Sequence, residues 1–350
     1  MSLFKKVIVK DVRRETPESV SVAFDVNLND FPYHSGQYIT IKKEINGEDV
    51  RRSYSLSSAP YESDFRIAVK QIKNGKMSTF FNEALLPGVE LEIMLPQGNF
   101  YLDPENDKHY VGFAAGSGIT PVISMIKQVL NVTNSKFTLY YGNKNENLTI
   151  FKKELDELLT EFGDRLNVHY VFSQQANNNK LFEGRINEKK FDDIIRENVE
   201  LLQADGFFLC GPEEMINAVS KGLEYLGVGR TKIHFELFTV PVKASEPQKI
   251  VDSDFKGTSH LTVIMDGEEI EFDLDSEGDF ILDAAINNGV DAPFSCKGAV
   301  CCTCKAQVVE GKAIMDMNYS LSDAEVEEGF ILTCQAHPAS EKVMVDFDVV

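Results

Sequence analysis

Up to about residue 105, apolar and polar positions alternate in short runs. The runs are Lys5–Val12, Ser19–Val26, Gln37–Lys43, Arg51–Leu56, Phe65–Ile72 and Val89–Leu95, separated by Pro, Gly and Asn turns. Successive side chains of a strand face opposite ways, so this rhythm predicts half-buried strands, and their spacing predicts a small antiparallel β-barrel over residues 1–105. One helix is expected over Ser78–Leu85, after the Asn74-Gly75 turn.

From about residue 106 the rhythm becomes strand then helix: His109–Ala114 and Pro121–Leu130, Lys136–Gly142 and Phe151–Phe162, Asn167–Ser173 and Glu188–Val199, Gly206–Cys210 and Glu213–Leu226. Repeated units of this length predict a doubly wound parallel α/β domain over 106–240. Residues 241–258, PVKASEPQKIVDSDFKGT, lack apolar periodicity and are expected to be a linker. A third domain then spans 259–350. In it a hairpin pairs His260–Met265 with Glu269–Leu274, a helix covers Phe280–Asn288, a cysteine-rich loop follows, and Lys342–Val349 is the closing strand.

Composition narrows the partners. The net charge of −20 excludes a phosphate-backbone binder, so no nucleic acid is expected. Residues 259–350 hold 4 Lys and no Arg against 19 Asp and Glu, which suggests docking to a basic protein surface, with plain solubility as the alternative. No apolar run reaches the ~20 residues of a membrane span. The N-terminus reads as a first strand rather than a signal, so the location is expected to be cytoplasmic, with no membrane partner.

Five of the six cysteines fall between 296 and 334. Cys296, Cys301 and Cys304, followed by Cys334, give C-x4-C-x2-C and a distant fourth thiol, the spacing of a plant-type 2Fe-2S site. Gly298, Ala299 and Thr303 are small enough for a loop that must aim N–H groups at sulfur. Zinc is the rival metal, although it usually reads as two C-x2-C pairs. Cys302, between two candidate ligands, is expected to point away, with a ligand swap as the alternative.

Two further motifs suggest cofactors. Arg52-Ser-Tyr54-Ser55 offers a guanidinium for pyrophosphate, an aromatic plane for a flavin and a hydroxyl near its reactive nitrogen. Gly75-Lys76-Met77-Ser78 opens a helix whose free N–H groups would hold phosphate. Tyr54 as a core residue and Ser78 as a simple helix cap are the competing readings. Gly116-Ser-Gly118-Ile-Thr120-Pro121 joins a strand to a helix, as a nicotinamide dinucleotide loop does. Cys210-Gly211-Pro212 ends a strand at the ligand-binding edge of the same sheet, although a buried cysteine is often only a small apolar residue. Glu236 and Phe238 close the domain.

Taken in this order, these motifs resemble the ferredoxin-NADP reductase superfamily, here with a C-terminal ferredoxin-like module. The stretches YYGNKNENLTIF at 140–151, VFSQQ at 171–175 and FFLCGPEEMI at 207–216 are most similar to the reductase subunits of phenylacetyl-CoA epoxidases. The resemblance implies FAD in the barrel, NADPH or NADH on the α/β domain, a β-grasp fold around the cluster and an oxygenase component, a diiron one, as protein acceptor. It also implies roles. Arg52 would contact flavin phosphates, Tyr54 would pack on the isoalloxazine and Ser55 would sit near N5. Cys210 and Glu236 would lie beside the nicotinamide, Phe238 would shield the flavin, and Lys144 would meet a 2′-phosphate as a point charge. The implied activity is hydride acceptance followed by single-electron delivery; service to another oxygenase, or a redox sensor without turnover, are the alternatives.

Overall fold

The computed structural model describes residues 3–241 and 255–349; of the expected linker, 242–254 lie outside the described residues. The first domain is a six-stranded antiparallel sheet of β1 (Phe4–Thr16), β2 (Ser19–Asp25), β3 (Tyr38–Ile45), β4 (Glu48–Ser55), β5 (Phe65–Lys70) and β6 (Glu90–Met94), in the order β4-β3-β6-β1-β2-β5. A Leu56–Ile67 bridge joins its edges and closes the barrel. Val22, Ile39, Ile41, Phe65 and Ile67 fill it, and α1 (Lys76–Glu83) adds Met77 and Phe81. β3 and β4 form a hairpin turned by Asn46-Gly47, both at positive φ (54° and 78°), the turn whose twist matches paired strands.

The second domain is a five-stranded parallel sheet. Its elements are β7 (His109–Ala115), α2 (Ile119–Val132), β8 (Lys136–Asn143), α3 (Lys152–Phe162), β9 (Leu166–Phe172), α4 (Glu188–Glu197), β10 (Gly206–Cys210), α5 (Glu213–Tyr225) and β11 (Ile233–Glu236). The order β11-β10-β7-β8-β9 reverses direction between β7 and β10. α2 and α3 pack on one face and α4 and α5 on the other, so the central strands β7, β8 and β10 are buried on both sides. Ligands bind such sheets where the strand order reverses, outside the carboxyl ends of the strands. Pro121 is the third residue of α2, where its missing N–H would have had no intrahelical partner.

α2 also fixes this domain to the barrel. Ser124 Oγ donates to the Ser58 carbonyl at 2.6 Å. The buried Lys127 ammonium lies 2.8 Å from Glu62 on the barrel and 3.0 Å from Glu154 on α3.

The third domain contains β12 (Thr258–Met265), β13 (Glu268–Asp275), α6 (Ile281–Asn287), β14 (Lys305–Glu310), β15 (Ala313–Met315), α7 (Asp323–Glu327), β16 (Phe330–Leu332), β17 (Ala336–Pro338) and β18 (Lys342–Asp346). Its main sheet runs β13-β12-β18-β14-β16, with β12 and β18 parallel and α6 packed across it, a β-grasp arrangement. The sequence anticipated the hairpin, α6 and β18. It did not anticipate β11, β14 to β17 or α7. Four of these strands have only three or four residues, too few for a period to show, and α7 is one turn held by a Ser322–Glu325 capping box. Thr258, expected to fall within the linker, is already in β12.

Gly118 shows how closely the reversal point is packed. A Cβ there would lie 2.1 Å from the Cys210 carbonyl oxygen and 2.9 Å from the Gly211 nitrogen, both backbone atoms that cannot swing away. Gly118→Ala is therefore expected to destabilise the domain by about 1–3 kcal/mol, the scale of overpacking. Urea unfolding checks this, and an unchanged midpoint would contradict the packing argument.

Candidate functional site

Strand alternation organises the flavin motif. Register pairs Tyr38 with Ser55, Thr40 with Ser53 and Lys42 with Arg51 on one face of the hairpin, and Ile39 with Tyr54 and Ile41 with Arg52 on the other. Arg52 is exposed, and its Nη1 donates to the Arg51 carbonyl at 2.6 Å. The Tyr54 ring lies 5.6 Å from Phe81, and burial pushes its hydroxyl pKa up. It is thus partly a core residue while still edging the site. Ser55 is buried and its Oγ donates to Glu236 Oε2 at 3.2 Å, joining the barrel to the last strand of the α/β domain.

The start of α1 divides its roles between side chain and backbone. Ser78 Oγ accepts from the Ile72 N–H at 3.1 Å and donates to the Gly75 carbonyl at 3.3 Å, so this hydroxyl is engaged within its own loop. Met77 points into the barrel core and Lys76 pairs with Glu48. What this turn offers a phosphate is its backbone N–H groups, which at a helix start have no intrahelical acceptor.

The dinucleotide loop lies across the barrel edge. Gly116 has φ of +55°, and Thr120 Oγ1 donates to the Ser117 carbonyl at 3.0 Å. A Cβ on Gly116 would approach Lys70 Nζ at 3.8 Å, so the lysine ending β5 stands over this loop. Burial lowers the pKa of Lys70, Glu18 opposes this, and the Lys144 charge adds a smaller lowering. Sequence reasoning missed Lys70; its signal is a lysine closing the strand Phe65–Lys70 just before Gly75.

At the sheet's reversal point, Cys210 pairs in register with Glu236. Burial, with the Glu236 charge adding to it, holds the Cys210 thiol protonated. Removal from solvent pushes the Glu236 carboxyl up to about 8, against the Ser55 hydrogen bond, which lowers it. Gly211 fits because a Cβ would strike Met215 and Ala115, and Pro212 caps α5. Phe238 lies beyond β11 with 41% of its surface exposed.

The four motif cysteines form two pairs. Cys301 Sγ donates to Cys296 Sγ at 3.2 Å, and the thiol of Cys304 donates to Cys334; each bond holds its acceptor's pKa down. Backbone N–H groups of Gly298, Val300 and Cys301 point at Cys296, and that of Ala299 at Cys334. Lys297 and Ala299 reach this geometry at positive φ (49° and 60°). Gly298 is needed for a different reason, because a Cβ there would lie 2.1 Å from Val240 Cγ2. Among the described residues no three His, Cys, Asp or Glu are gathered tightly enough for a single metal ion. Two thiol pairs with N–H groups aimed at sulfur fit a binuclear cluster better than tetrahedral zinc. Cys302 belongs to neither pair: its Sγ donates to the Ser320 carbonyl at 3.4 Å.

A flavin motif on a barrel, a glycine loop at a parallel sheet's reversal point and paired thiols in a β-grasp loop define a three-domain electron-transfer oxidoreductase. Residues 6–101 match the oxidoreductase FAD-binding domain, 113–221 the oxidoreductase NAD-binding domain and 263–339 the 2Fe-2S iron-sulfur cluster binding domain. The chain is 35% identical to a subunit of the 1,2-phenylacetyl-CoA epoxidase of Escherichia coli (strain K12), covering 99% of each chain. It is 30% identical to the ferredoxin reductase component of 3-ketosteroid-9-alpha-monooxygenase of Rhodococcus rhodochrous, covering 97% of this chain and 95% of the relative. The structure of phthalate dioxygenase reductase shares the fold at a TM-score of 0.59 and 23% identity, covering 98% of both chains. The chain belongs to the family of FAD- and 2Fe-2S-containing reductase components of oxygenase systems. No helix among the described residues is long and apolar enough to cross a membrane.

Two expectations follow. Cys302→Ala should keep the cluster's visible absorbance, whereas Cys304→Ala should lose it; bleaching by Cys302→Ala would reverse the ligand assignment. Glu236 keeps its proton to about pH 8 when folded and releases it near 4.5 when unfolded. The folded state thus binds more protons in that window, so stability should fall as pH rises through it. Glu236→Gln should flatten that part of the urea-midpoint profile, and parallel profiles for both proteins would contradict it.

Proposed function

We propose that this chain takes hydride from NADPH and passes single electrons to the diiron oxygenase component that epoxidises phenylacetyl-CoA. The observation that carries the reading is the meeting of three sites at one hairpin: Ser55 reaches Glu236 of the nucleotide domain while Ser53 reaches Ser295 beside the cluster loop. Full-length identity of 35% to a component of an epoxidase supports this acceptor over a steroid monooxygenase, whose reductase is 30% identical.

When bound, FAD supplies the conversion from two-electron to one-electron chemistry, and the cluster carries one electron at a time. The chain's own residues hold and orient. Arg52 and the N–H groups after Gly75 hold flavin phosphates, Tyr54 packs against the ring system and Ser55 addresses its reactive edge. Cys210 and a neutral Glu236 line the nicotinamide position without placing a charge there, and Phe238 covers the flavin face. The loop from Gly116 and Gly118 to Thr120 and Pro121, with Gly211 and Pro212, lets the dinucleotide backbone approach, and Lys70 joins it as a counter-charge. Lys144 favours NADPH through its 2′-phosphate, as a point charge rather than a fork. The acidic third domain suits a basic acceptor surface. Paired thiols kept reduced for a cluster favour a cytoplasmic location.

Steady-state turnover of the loaded protein tests this. NADPH should give a kcat/KM about tenfold above NADH, and Lys144→Ala should remove most of that gap. Electrons should reach the epoxidase oxygenase component in preference to a steroid monooxygenase. Absence of turnover with either nucleotide would contradict the reading, and preference for the steroid system would reassign the acceptor.

A further inference from the structure

Arg51, one residue before the flavin motif, faces away from Arg52 and Tyr54 and toward the cluster domain. Only 3% of its surface is exposed. Its guanidinium donates to Asp291 Oδ1 at 2.6 Å and to the Ala292 carbonyl at 3.2 Å, while Asp49 on its own strand accepts at 2.8 Å. The rings of Phe294 and Phe4 lie 4.5 Å and 5.3 Å from it. Lys42, its cross-strand neighbour, adds a second cation 3.5 Å from Asp291.

The other contacts from this face to the cluster loop are made by hydroxyls and one amide. Tyr38 Oη accepts the Cys302 N–H at 2.7 Å. Thr40 Oγ1 lies 2.9 Å from Thr303 Oγ1, and Ser53 Oγ donates to Ser295 Oγ at 2.9 Å. Ser295 precedes ligand Cys296, and Cys302 and Thr303 separate ligands Cys301 and Cys304. The hairpin therefore grips the cluster loop at residues directly beside the ligands, on the opposite face of the strand that presents Arg52 and Tyr54.

We infer that this face of the β3–β4 hairpin is an internal electron-transfer dock, and that Arg51 is a positioning residue for flavin-to-cluster transfer. The inference rests on the placement of FAD given under Proposed function. With FAD and the cluster bound, this contact would serve transfer of one electron at a time from flavin to cluster, with no bond made or broken to Arg51 and any proton the flavin gives up passing to solvent. Arg51 takes no part in the bond chemistry. It holds the loop at a fixed separation, because a rigid planar fork fixes the direction of its bonds to Asp291 and a carbonyl, which a rotating ammonium does not.

Arg51→Lys and Asp291→Asn test the dock in the FAD- and cluster-loaded protein. Asp291 is the safer site, since its side chain is 70% exposed and lies in the third domain, outside the barrel core. Stopped-flow should show flavin reduction by NADPH unchanged and the later flavin-to-cluster step slowed about tenfold. Hydrogen exchange should show lost protection at the Cys302 amide. A purely stabilising role would leave both readouts of the folded, loaded variants where they are in the parent. Internal transfer within about twofold of the parent and unchanged Cys302 protection would overturn the inference. A parent protein that takes up no FAD or cluster would instead overturn the reading under Proposed function, while the exchange measurement would still decide whether the dock exists.

Discussion

Successive side chains of a β-strand point to opposite faces, and in β4 that rule separates Arg51, Ser53 and Ser55 from Arg52 and Tyr54. Five consecutive residues thereby serve three domains. One face carries the exposed guanidinium and the ring packed on Phe81; the other carries the groups that reach Asp291, Ser295 and Glu236. A one-residue register slip would exchange the two sets, so the positive-φ Asn46-Gly47 turn that pins this hairpin is part of the functional design.

The chemistry around that strand depends on where charge is kept out as much as on where it is supplied. Cys210 and Glu236 sit side by side at the sheet's reversal point, and burial favours the neutral form of both. A hydride acceptor and donor can then approach without an adjacent anion. At the cluster loop the environment reverses for two thiols: hydrogen bonds from Cys301 and Cys304, joined by backbone N–H groups, favour thiolate at Cys296 and Cys334. At Gly116 the contribution is positive, from Lys70 with Lys144 nearby. The sheet's reversal point, the cluster loop and the glycine loop thus carry neutral, anion-stabilising and cationic environments in turn.

Much of this was legible in the sequence, for identifiable reasons. The β7 to α5 alternation has long periodic elements, and the cysteine spacing fixes a loop by itself. Arg51 was not legible, because two adjacent arginines look alike until a register assigns each a face. Lys70 was hidden in the same way, since its role depends on a glycine 46 positions later. Ser78 was expected to hold phosphate, but its hydroxyl is engaged by its own turn, so the turn offers a ligand its backbone rather than this side chain. Strands of three residues, such as β15 and β17, exist because the surrounding sheet supports them rather than because of their own pattern.

The central claim is that one strand, β4, holds both the flavin and the cluster loop. Pulsed EPR of partly reduced, fully loaded protein reads the separation of the two spins directly. The account predicts a single narrow separation within about 15 Å, three strand spacings of about 5 Å each. A broad distribution extending to several tens of Å would contradict it.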